Sequence, residues 1–311
     1  MTEAPHSKHR IFITGAGGFV GAAVVRAALA DGHSVITLVR NSDPARLADV
    51  ADKIEIKRAD LANSPAIAAI LSQTRPDIVV HCAWEGVGGP DRAGDIQLDN
   101  VMTSVALADA AIEAGVQKFV GIGSQAEYGR FDRRITEADL PNPTILYGAA
   151  KLSALHLIRQ RVEAANKAFA WMRIFSTYGP DDNPNWLIPS ALAALREGRA
   201  PKLTAGTQTW DYLHIEDVAS GILAASLAPG ASGVFNLSSG ISTPVRTIIE
   251  ALRDRVAPGL ELKFGEIAFG PSQIMQLEGD NSRLIAATGW QPQIGLLEGL
   301  NRLCELARVA A

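Results

Sequence analysis

A glycine-rich turn near the N-terminus constrains the fold of this chain more than any other stretch. Gly15, Gly18 and Gly21 are spaced three residues apart. They lie between an apolar run that predicts a strand at Arg10–Thr14 and an Ala/Val-rich run that predicts a helix to about Ala30. In such a unit the first glycine permits a tight turn, the second lets backbone N–H groups approach a pyrophosphate, and the third lets helix and strand pack closely. The turn therefore predicts a dinucleotide site at a helix N-terminus.

Strand-like and helix-like segments alternate along the first part of the chain. Strands are predicted at Arg10–Thr14, Ser34–Val39, Ile54–Lys57, Asp77–Cys82, Lys118–Gly123 and Phe169–Phe175. The alternation predicts an α/β fold with a doubly wound parallel sheet. Because ligands of such sheets bind at the carboxyl ends of the strands, we expect the residues that follow the strands to share one edge.

The pattern loosens after Phe175, which indicates a second, smaller lobe. We expect residues 1–175 to form a dinucleotide-binding domain, to which residues 211–240 return. Residues 176–210 and 241–311 are expected to form a C-terminal substrate-binding lobe that closes over the site and sets substrate choice.

The residues that follow the second, third and fourth strands bear on the cofactor. A site for NAD usually has a carboxylate after the second strand, which binds the ribose 2′-OH. Here Arg40 follows directly, and a guanidinium suits a 2′-phosphate, so the sequence favours NADP(H), with NAD as the alternative. Asp60 can accept from the adenine amino group with Leu61 against the ring, although Asp60 could instead cap the next helix. Ala83 is small and leaves room for the cofactor.

Tyr147 and Lys151 begin another apolar helical segment and are one helical turn apart, so they share a face. A phenol titrates near pH ~10, and a nearby positive charge brings its pKa closer to working pH. Tyr147 is therefore a candidate general acid/base for a carbonyl–alcohol pair. Ser124 ends the fifth strand and lies on the same predicted edge, whereas His81 is predicted to be a hydrogen-bonded core residue.

Composition and charge exclude several classes of partner. The net charge is -4 and the chain has no basic block, which argues against nucleic acid. None of its apolar runs reaches the ~18 residues of a membrane span. Cys82 and Cys304 are the only cysteines, so neither a disulfide framework nor a cysteine-rich metal site is expected. The short polar N-terminal segment does not resemble a signal peptide, and we expect a cytoplasmic protein without a metal.

Several motifs, taken in order, resemble the extended short-chain dehydrogenase/reductases, in particular the NAD(P)-dependent epimerase/dehydratase branch that acts on nucleotide sugars. They are Gly15-x-x-Gly18-x-x-Gly21, Asp60-Leu61, Ser124 and Tyr147-x-x-x-Lys151. The resemblance implies a Rossmann-type fold, a nucleotide-sugar substrate and a homodimer formed by the predicted helices at Asp95–Ala114 and Tyr147–Ala165. It also implies that Tyr147 exchanges a proton with a sugar oxygen, which Ser124 holds. Lys151 would bind the nicotinamide ribose and lower the pKa of Tyr147.

Two sets of contacts follow from the motifs and the resemblance. The predicted cofactor contacts are Gly15, Gly18, Phe19, Val20, Gly21, Arg40, Asp60, Leu61, Ala83, Tyr147 and Lys151. The predicted substrate contacts are Trp84, Gln125, Ser176, Trp186 and Trp210.

Departures from the family pattern narrow the reaction. Dehydratases of this branch carry an Asp-Glu pair just after the Ser/Thr, but Gln125 and Ala126 stand there, and neither is a general acid/base. Glu127 is next, but a shift of one residue would point it elsewhere. Trp210 stands where epimerase-like members usually have an arginine that grips the pyrophosphate, and Ser176 where they often have asparagine.

We therefore expect an NADPH-dependent reductase of a 4-keto-6-deoxy nucleotide sugar, because Arg40 favours NADPH and a reductase consumes NADPH. The alternatives are a nucleotide-sugar 4-epimerase with tightly bound NAD and an NADP-dependent reductase of a non-sugar ketone. A non-catalytic NADP-binding regulator is a further alternative, which the intact Ser124, Tyr147 and Lys151 set disfavours.

Overall fold

The computed structural model describes residues 8–40, 45–270 and 273–309. Up to residue 174 the elements are β1 (Arg10–Thr14), α1 (Phe19–Ala30), β2 (Ser34–Val39), β3 (Glu55–Arg58), α2 (Ser64–Thr74), β4 (Ile78–His81), α3 (Ile96–Glu113), β5 (Lys118–Ser124), α4 (Leu146–Ala164) and β6 (Ala168–Ile174). Short 3-10 helices cover Ala45–Lys53, Gly89–Ala93 and Gln125–Glu127.

The remaining elements are shorter and more mixed in type. They are β7 (Ser176–Tyr178), α5 (Leu187–Arg196), β8 (Thr209–His214), α6 (Ile215–Leu227), β9 (Gly233–Leu237), β10 (Ser242–Pro244), α7 (Val245–Val256), β11 (Gln276–Leu277), α8 (Ser282–Thr288) and α9 (Leu296–Val309). Each predicted strand of the first part of the chain is present, with its ends within one residue of the prediction.

A seven-stranded sheet has the order β3-β2-β1-β4-β5-β6-β9. β1 pairs in parallel with β2 on one side and with β4 on the other, so that Thr14 lies beside Leu38 and His81. Strands β1 to β3 extend the sheet in one direction, and the strands from β4 onward extend it in the other. The boundary between β1 and β4 is therefore the topological switch point, where such sheets bind ligands. The sheet confirms the predicted α/β class, a Rossmann-type doubly wound fold.

Complementary side chains on adjacent strands fill the core of this sheet. Trp171 on β6 is almost fully buried, and β5 carries glycine where the indole lies. A Cβ atom on Gly121 would come within 2.3 Å of the indole carbons, and one on Gly123 within 2.1 Å of the indole nitrogen. Because both residues lack a side chain, β5 leaves room for the indole of Trp171.

The chain divides into two compact units. The first contains residues up to 129, 141–173 and 222–235, and the second contains 130–140, 174–221 and the residues from 236 onward. The sequence predicts 130–140 and all of 211–240 as parts of the first domain. In the structure 222–235 belong to the first unit, while 130–140, 211–221 and 236–240 belong to the second.

The second unit has its own sheet and core. β8 pairs antiparallel with β10 and parallel with β7 and β11. Buried residues of α5, α7 and α9 form one apolar cluster, which includes Leu192, Ile249 and Leu300. Across the described ranges, no helix combines the length and apolar composition that a membrane span requires.

Candidate functional site

The glycine turn between β1 and α1 allows two close backbone contacts. Gly15 has φ +67°, a conformation that L-residues with side chains rarely adopt. A Cβ atom there would lie 2.5 Å from the Ala83 backbone nitrogen, and one at Gly21 would lie 2.2 Å from the Gly15 carbonyl oxygen. The Gly18 N–H donates to the same carbonyl at 2.9 Å, which closes the turn. The turn therefore requires small residues and brings the ends of β1 and β4 together.

The N-terminus of α1 fits an anionic ligand. Gly18 caps the helix without a side-chain hydrogen bond, and the first turn carries no acidic residue. The first helical hydrogen bond runs from the Ala22 N–H to the Gly18 carbonyl. The N–H groups of Phe19, Val20 and Gly21 precede that bond and point out of the helix end. With the helix dipole they suit the pyrophosphate of a dinucleotide.

Arg40 pairs with a carboxylate from a different strand end. Its guanidinium donates to Glu85, which lies 45 residues later, after β4. Both side chains are about half exposed. The carboxylate compensates the charge of Arg40 and competes with a 2′-phosphate for the guanidinium. Arg40 is predicted to bind the 2′-phosphate of NADP. In the structure Glu85 competes for the same guanidinium, which the residues next to Arg40 in the sequence do not indicate.

The loop after β3 is organised by polar side chains. The carboxylate of Asp60 accepts from the Ala62 N–H at 2.9 Å, and Leu61 packs partly buried against the core. The cap of α2 is Asn63, whose side chain accepts from the Ala66 N–H at 3.2 Å. Asp60 therefore orders the loop and does not cap α2. The residue is exposed, and its role in binding adenine stays a prediction.

His81 joins β1, β4 and α3 in a buried network. Its Nδ1 lies 2.7 Å from the Thr14 hydroxyl, and its Nε2 lies 2.7 Å from the Ser104 hydroxyl. Ser104 donates to the Asn100 carbonyl at 2.6 Å, so it accepts from the N–H at Nε2. Burial lowers the pKa of His81 to about 3, so the ring is neutral. His81 is a hydrogen-bonded core residue, as the sequence predicts.

Ser124 and Tyr147 come together at the carboxyl end of β5. Ser124 ends that strand, Tyr147 lies in the first turn of α4, and the Ser124 hydroxyl lies close enough to the phenol to lower its pKa. Burial raises the pKa of Tyr147, while the nearby Ser124 hydroxyl and the charge of Arg92 oppose the rise and Glu127 adds to it. Two neighbouring hydroxyls at a sheet edge can hold one oxygen and exchange a proton with it.

Lys151 lies one turn from Tyr147 but points at other groups. Its Nζ donates to the Ile122 carbonyl at 2.6 Å and lies 3.7 Å from the centre of the Trp84 ring. Burial lowers the pKa of Lys151 to about 7. The sequence predicts that Lys151 lowers the pKa of Tyr147, but the cation that does so in this structure is Arg92.

Glu127 is held in a buried ion pair. The side chain is fully buried, accepts from the Arg173 guanidinium at 2.7 Å and from the Trp171 indole at 2.9 Å, and accepts from the Ser124 backbone N–H. These contacts engage both oxygens of Glu127 and fix the end of β5. Gln125 is its neighbour in the 3-10 helix, and the Gln125 Oε1 is buried without a partner among the described residues.

The loop after β4 contains a short 3-10 helix and lies beside Tyr147. Trp84 meets the Tyr147 ring edge-on at 6.4 Å and donates from its indole to Gln97 at 2.8 Å. The short 3-10 helix Gly89–Ala93 places the Arg92 guanidinium carbon 4.6 Å from the centre of the Tyr147 ring. Sequence reasoning missed Arg92. The available signal was a cation in the loop that follows the strand at the switch point.

The other predicted substrate contacts lie in the second unit. Ser176 begins β7, and Trp186 precedes α5 with its side chain 40% exposed. Trp210 on β8 stacks on Tyr212 at 6.2 Å, and its indole nitrogen is buried without a recorded partner in the described part of the chain. The roles of Ser176, Trp186 and Trp210 in substrate binding stay predictions. Within the ranges that the structure describes, no cluster of His, Cys, Asp or Glu side chains is placed to hold a metal ion.

Residues 11–238 match the profile of the NAD dependent epimerase/dehydratase family. The chain is 29% identical to the UDP-glucose 4-epimerase of Mycolicibacterium smegmatis, over 96% of this chain and 98% of that protein. It is 27% identical to the dTDP-glucose 4,6-dehydratase 1 of Escherichia coli, over 95% and 92% of the two chains.

Solved structures agree with the fold. The Thermotoga maritima UDP-glucose 4-epimerase with UDP-glucose has a TM-score of 0.87 at 21% identity, covering 97% of this chain and 99% of that one. The Thermus thermophilus UDP-glucose 4-epimerase in complex with NAD has a TM-score of 0.86 at 22% identity, covering 97% and 100%.

We predict that Gly21→Ala weakens dinucleotide binding at least about tenfold, equivalent to about 1.4 kcal/mol. The new Cβ would lie 2.2 Å from the Gly15 carbonyl and push the turn away from the phosphates. Titration calorimetry with NAD measures the effect. Gly230→Ala is the matched control, because nothing lies within 4 Å of its Cβ position. Equal affinity of Gly21→Ala and the parent protein would contradict the placement of the site.

Proposed function

Because the chain belongs to the NAD-dependent epimerase/dehydratase family, we propose that it is a nucleotide-sugar 4-epimerase that works with tightly bound NAD. The observation that carries the proposal is that the side chains of Ser124 and Tyr147 lie next to each other at the sheet edge. The named relatives include epimerases and dehydratases that act on nucleotide sugars.

The proposed chemistry assigns one task to each side chain. Tyr147 accepts the proton of the C4 hydroxyl and later returns it, and Ser124 donates a hydrogen bond to the reacting oxygen. Lys151 binds the ribose next to the nicotinamide. When bound, the nicotinamide supplies the hydride chemistry, first as acceptor and then as donor to the opposite face of the sugar. The protein positions the oxygen and stabilises its changing charge.

The surroundings of Ser124 support an epimerase over a dehydratase. Loss of water needs a second acid/base pair, but Gln125 and Ala126 follow Ser124. Glu127 is the nearest carboxylate along the chain, and its oxygens are engaged by Arg173 and Trp171. A 4-epimerisation needs only the exchange of one proton at one oxygen, for which Tyr147 suffices.

NAD is the proposed cofactor because of the pairing at Arg40. Glu85 supplies the carboxylate that is missing directly after β2, and it compensates the guanidinium. Solved structures with the same fold contain NAD.

The second candidate is an NADPH-dependent reductase of a 4-keto-6-deoxy nucleotide sugar. Arg40 follows β2 without a carboxylate at that position, which favours a 2′-phosphate once the Glu85 pair opens. The two proposals differ in a simple observable, because a reductase consumes NADPH and an epimerase leaves the amount of cofactor unchanged.

The proposal also includes a cytoplasmic location. Neither Cys82 nor Cys304 forms a disulfide within the described residues, which fits a reducing compartment. NAD and nucleotide sugars, the proposed ligands, are intracellular metabolites.

We predict that Tyr147→Phe lowers kcat about 10²–10⁴-fold with little change in KM, because the substitution removes the proton acceptor but keeps the ring. The assay incubates the purified protein with UDP-glucose and with dTDP-hexoses and follows the C4 epimer by proton NMR, while total NAD and NADPH are measured. Tyr178→Phe is the control, since the Tyr178 hydroxyl donates to the Leu296 carbonyl within the second unit.

Full activity of Tyr147→Phe would remove this residue from the mechanism. Stoichiometric loss of NADPH with a 4-keto sugar nucleotide would replace the epimerase by the reductase. Binding of a dinucleotide without turnover of any of these substrates would favour a regulator.

We also propose a homodimer through α3 and α4. Leu98 and Met102 lie one turn apart on α3 and are 55% and 69% exposed, and Leu157 on α4 is 47% exposed. Exposed apolar residues on two helices that pack together are typical of an interface between copies.

Met102→Glu is expected to weaken the dimer at least about tenfold, or about 1.4 kcal/mol, because a two-fold axis brings like charges together. Sedimentation velocity at several concentrations measures the change. Met275→Glu, on an exposed methionine of the second unit, should leave the dimer intact. A parent protein that stays monomeric at micromolar concentration would contradict the proposal.

A further inference from the structure

The 3-10 helix Gly89–Ala93 places a cation against the proposed acid/base. Arg92 lies in this helix, which contacts the start of α4. Its guanidinium carbon lies 4.6 Å from the centre of the Tyr147 ring. At this distance a guanidinium over an aromatic face interacts favourably with the ring, and more strongly with a phenolate than with a neutral phenol.

Arg92 has no protein partner that would explain its position. The structure records neither a hydrogen bond nor an ion pair between Arg92 and another described residue, and its Nε is buried and unpartnered. Other arginines of the same unit pair with carboxylates, for example Arg161 with Asp109 and Arg173 with Glu127. A buried donor without a partner is unfavourable, so the placement of Arg92 destabilises the fold unless another interaction compensates.

The other ionisable groups near Tyr147 either point at different partners or are neutral. Lys151 points at the Ile122 carbonyl and the Trp84 ring, and burial lowers its pKa to about 7. Burial keeps the imidazole of His81 neutral and raises the pKa of Cys82 to about 12, so this thiol is neutral as well.

The carboxylates near Tyr147 are paired with other arginines. Glu127 disfavours the phenolate, but Arg173 pairs with its carboxylate. Glu85, which follows Trp84 in the loop after β4, is engaged by Arg40. Arg92 is therefore left as the cation that acts on the phenol.

We propose that Arg92 is a positioning residue for Tyr147: its guanidinium holds the ring and stabilises the phenolate that accepts the substrate proton. The inference rests on the proposed role of Tyr147 as the acid/base. The family resemblance assigns this electrostatic task to Lys151. In this chain Arg92, in the loop after β4, performs it, and Lys151 is left to bind ribose.

The direct test is the titration of Tyr147 in the protein without substrate. Tyrosinate absorbance is recorded against pH for the parent and for Tyr147→Phe, and the difference isolates the one phenol. Repeating the pair of titrations in an Arg92→Met background is expected to raise the midpoint by about one pH unit or more, since a cation at this distance is lost. Arg92→Lys, which keeps the charge, should restore part of the shift.

The kinetic test uses the epimerase assay over a range of pH. Arg92→Met is expected to lower kcat about tenfold or more near neutral pH, because the phenolate loses a stabilising charge. Activity should recover as the pH rises, and KM should stay within about twofold of the parent value. Arg302→Met is the matched control, because this half-exposed arginine pairs with Glu298 on α9.

Each outcome decides the proposal. A shifted midpoint together with a shifted pH profile supports it. An unchanged midpoint in Arg92→Met, with circular dichroism equal to the parent, overturns it. A raised KM with an unshifted profile also overturns it, because Arg92 would then bind substrate. A shifted midpoint without any epimerase activity would keep the Arg92–Tyr147 interaction and reject the proposed function.

Discussion

The close approach of Gly15 to Ala83 sets the positions of the other groups at the switch point of the sheet. It is possible only because residue 15 lacks a Cβ atom and has a positive φ. The hydrogen bonds of His81 to Thr14 and Ser104 link the ends of β1 and β4 to α3. Because the imidazole is neutral, this support adds no charge near the cofactor. The edge of the sheet therefore presents backbone donors at the N-terminus of α1 and hydroxyls at the end of β5.

The charges behind these hydroxyls are compensated in pairs. Glu127 and Arg173 form a buried ion pair directly behind Ser124, and breaking such a pair by removing one partner costs about 3–5 kcal/mol. The pair fixes the end of β5 and keeps the carboxylate out of proton transfer. Arg92 is the exception, because its charge lies against Tyr147 without a protein counter-ion among the described residues. Beside such a cation the phenolate of Tyr147 can accept a proton from a sugar hydroxyl, and the phenol so formed can return it.

Much of the fold was readable from the sequence, because buried parallel strands are short apolar runs and the glycine spacing has one structural interpretation. Ser124 and Tyr147 were predictable as neighbours, since both lie at the same edge of the sheet. The pairings were not predictable. Glu127 finds Arg173 46 residues away and Arg40 finds Glu85 45 residues away, and side-chain contacts across strands leave no local pattern. The sequence around Arg92 does not predict the 3-10 helix in which this residue lies. The one-turn spacing of Tyr147 and Lys151 predicts Lys151 as the cation next to Tyr147, whereas the structure places Arg92 against the ring.

The most direct test of the account is a crystal structure of the protein with NAD and a UDP-hexose. We predict that the C4 oxygen of the sugar lies within hydrogen-bond distance of both the Tyr147 and Ser124 hydroxyls, with the nicotinamide ring against C4. A sugar bound with C4 away from Tyr147, or a dinucleotide whose nicotinamide lies far from that hydroxyl, would contradict the account.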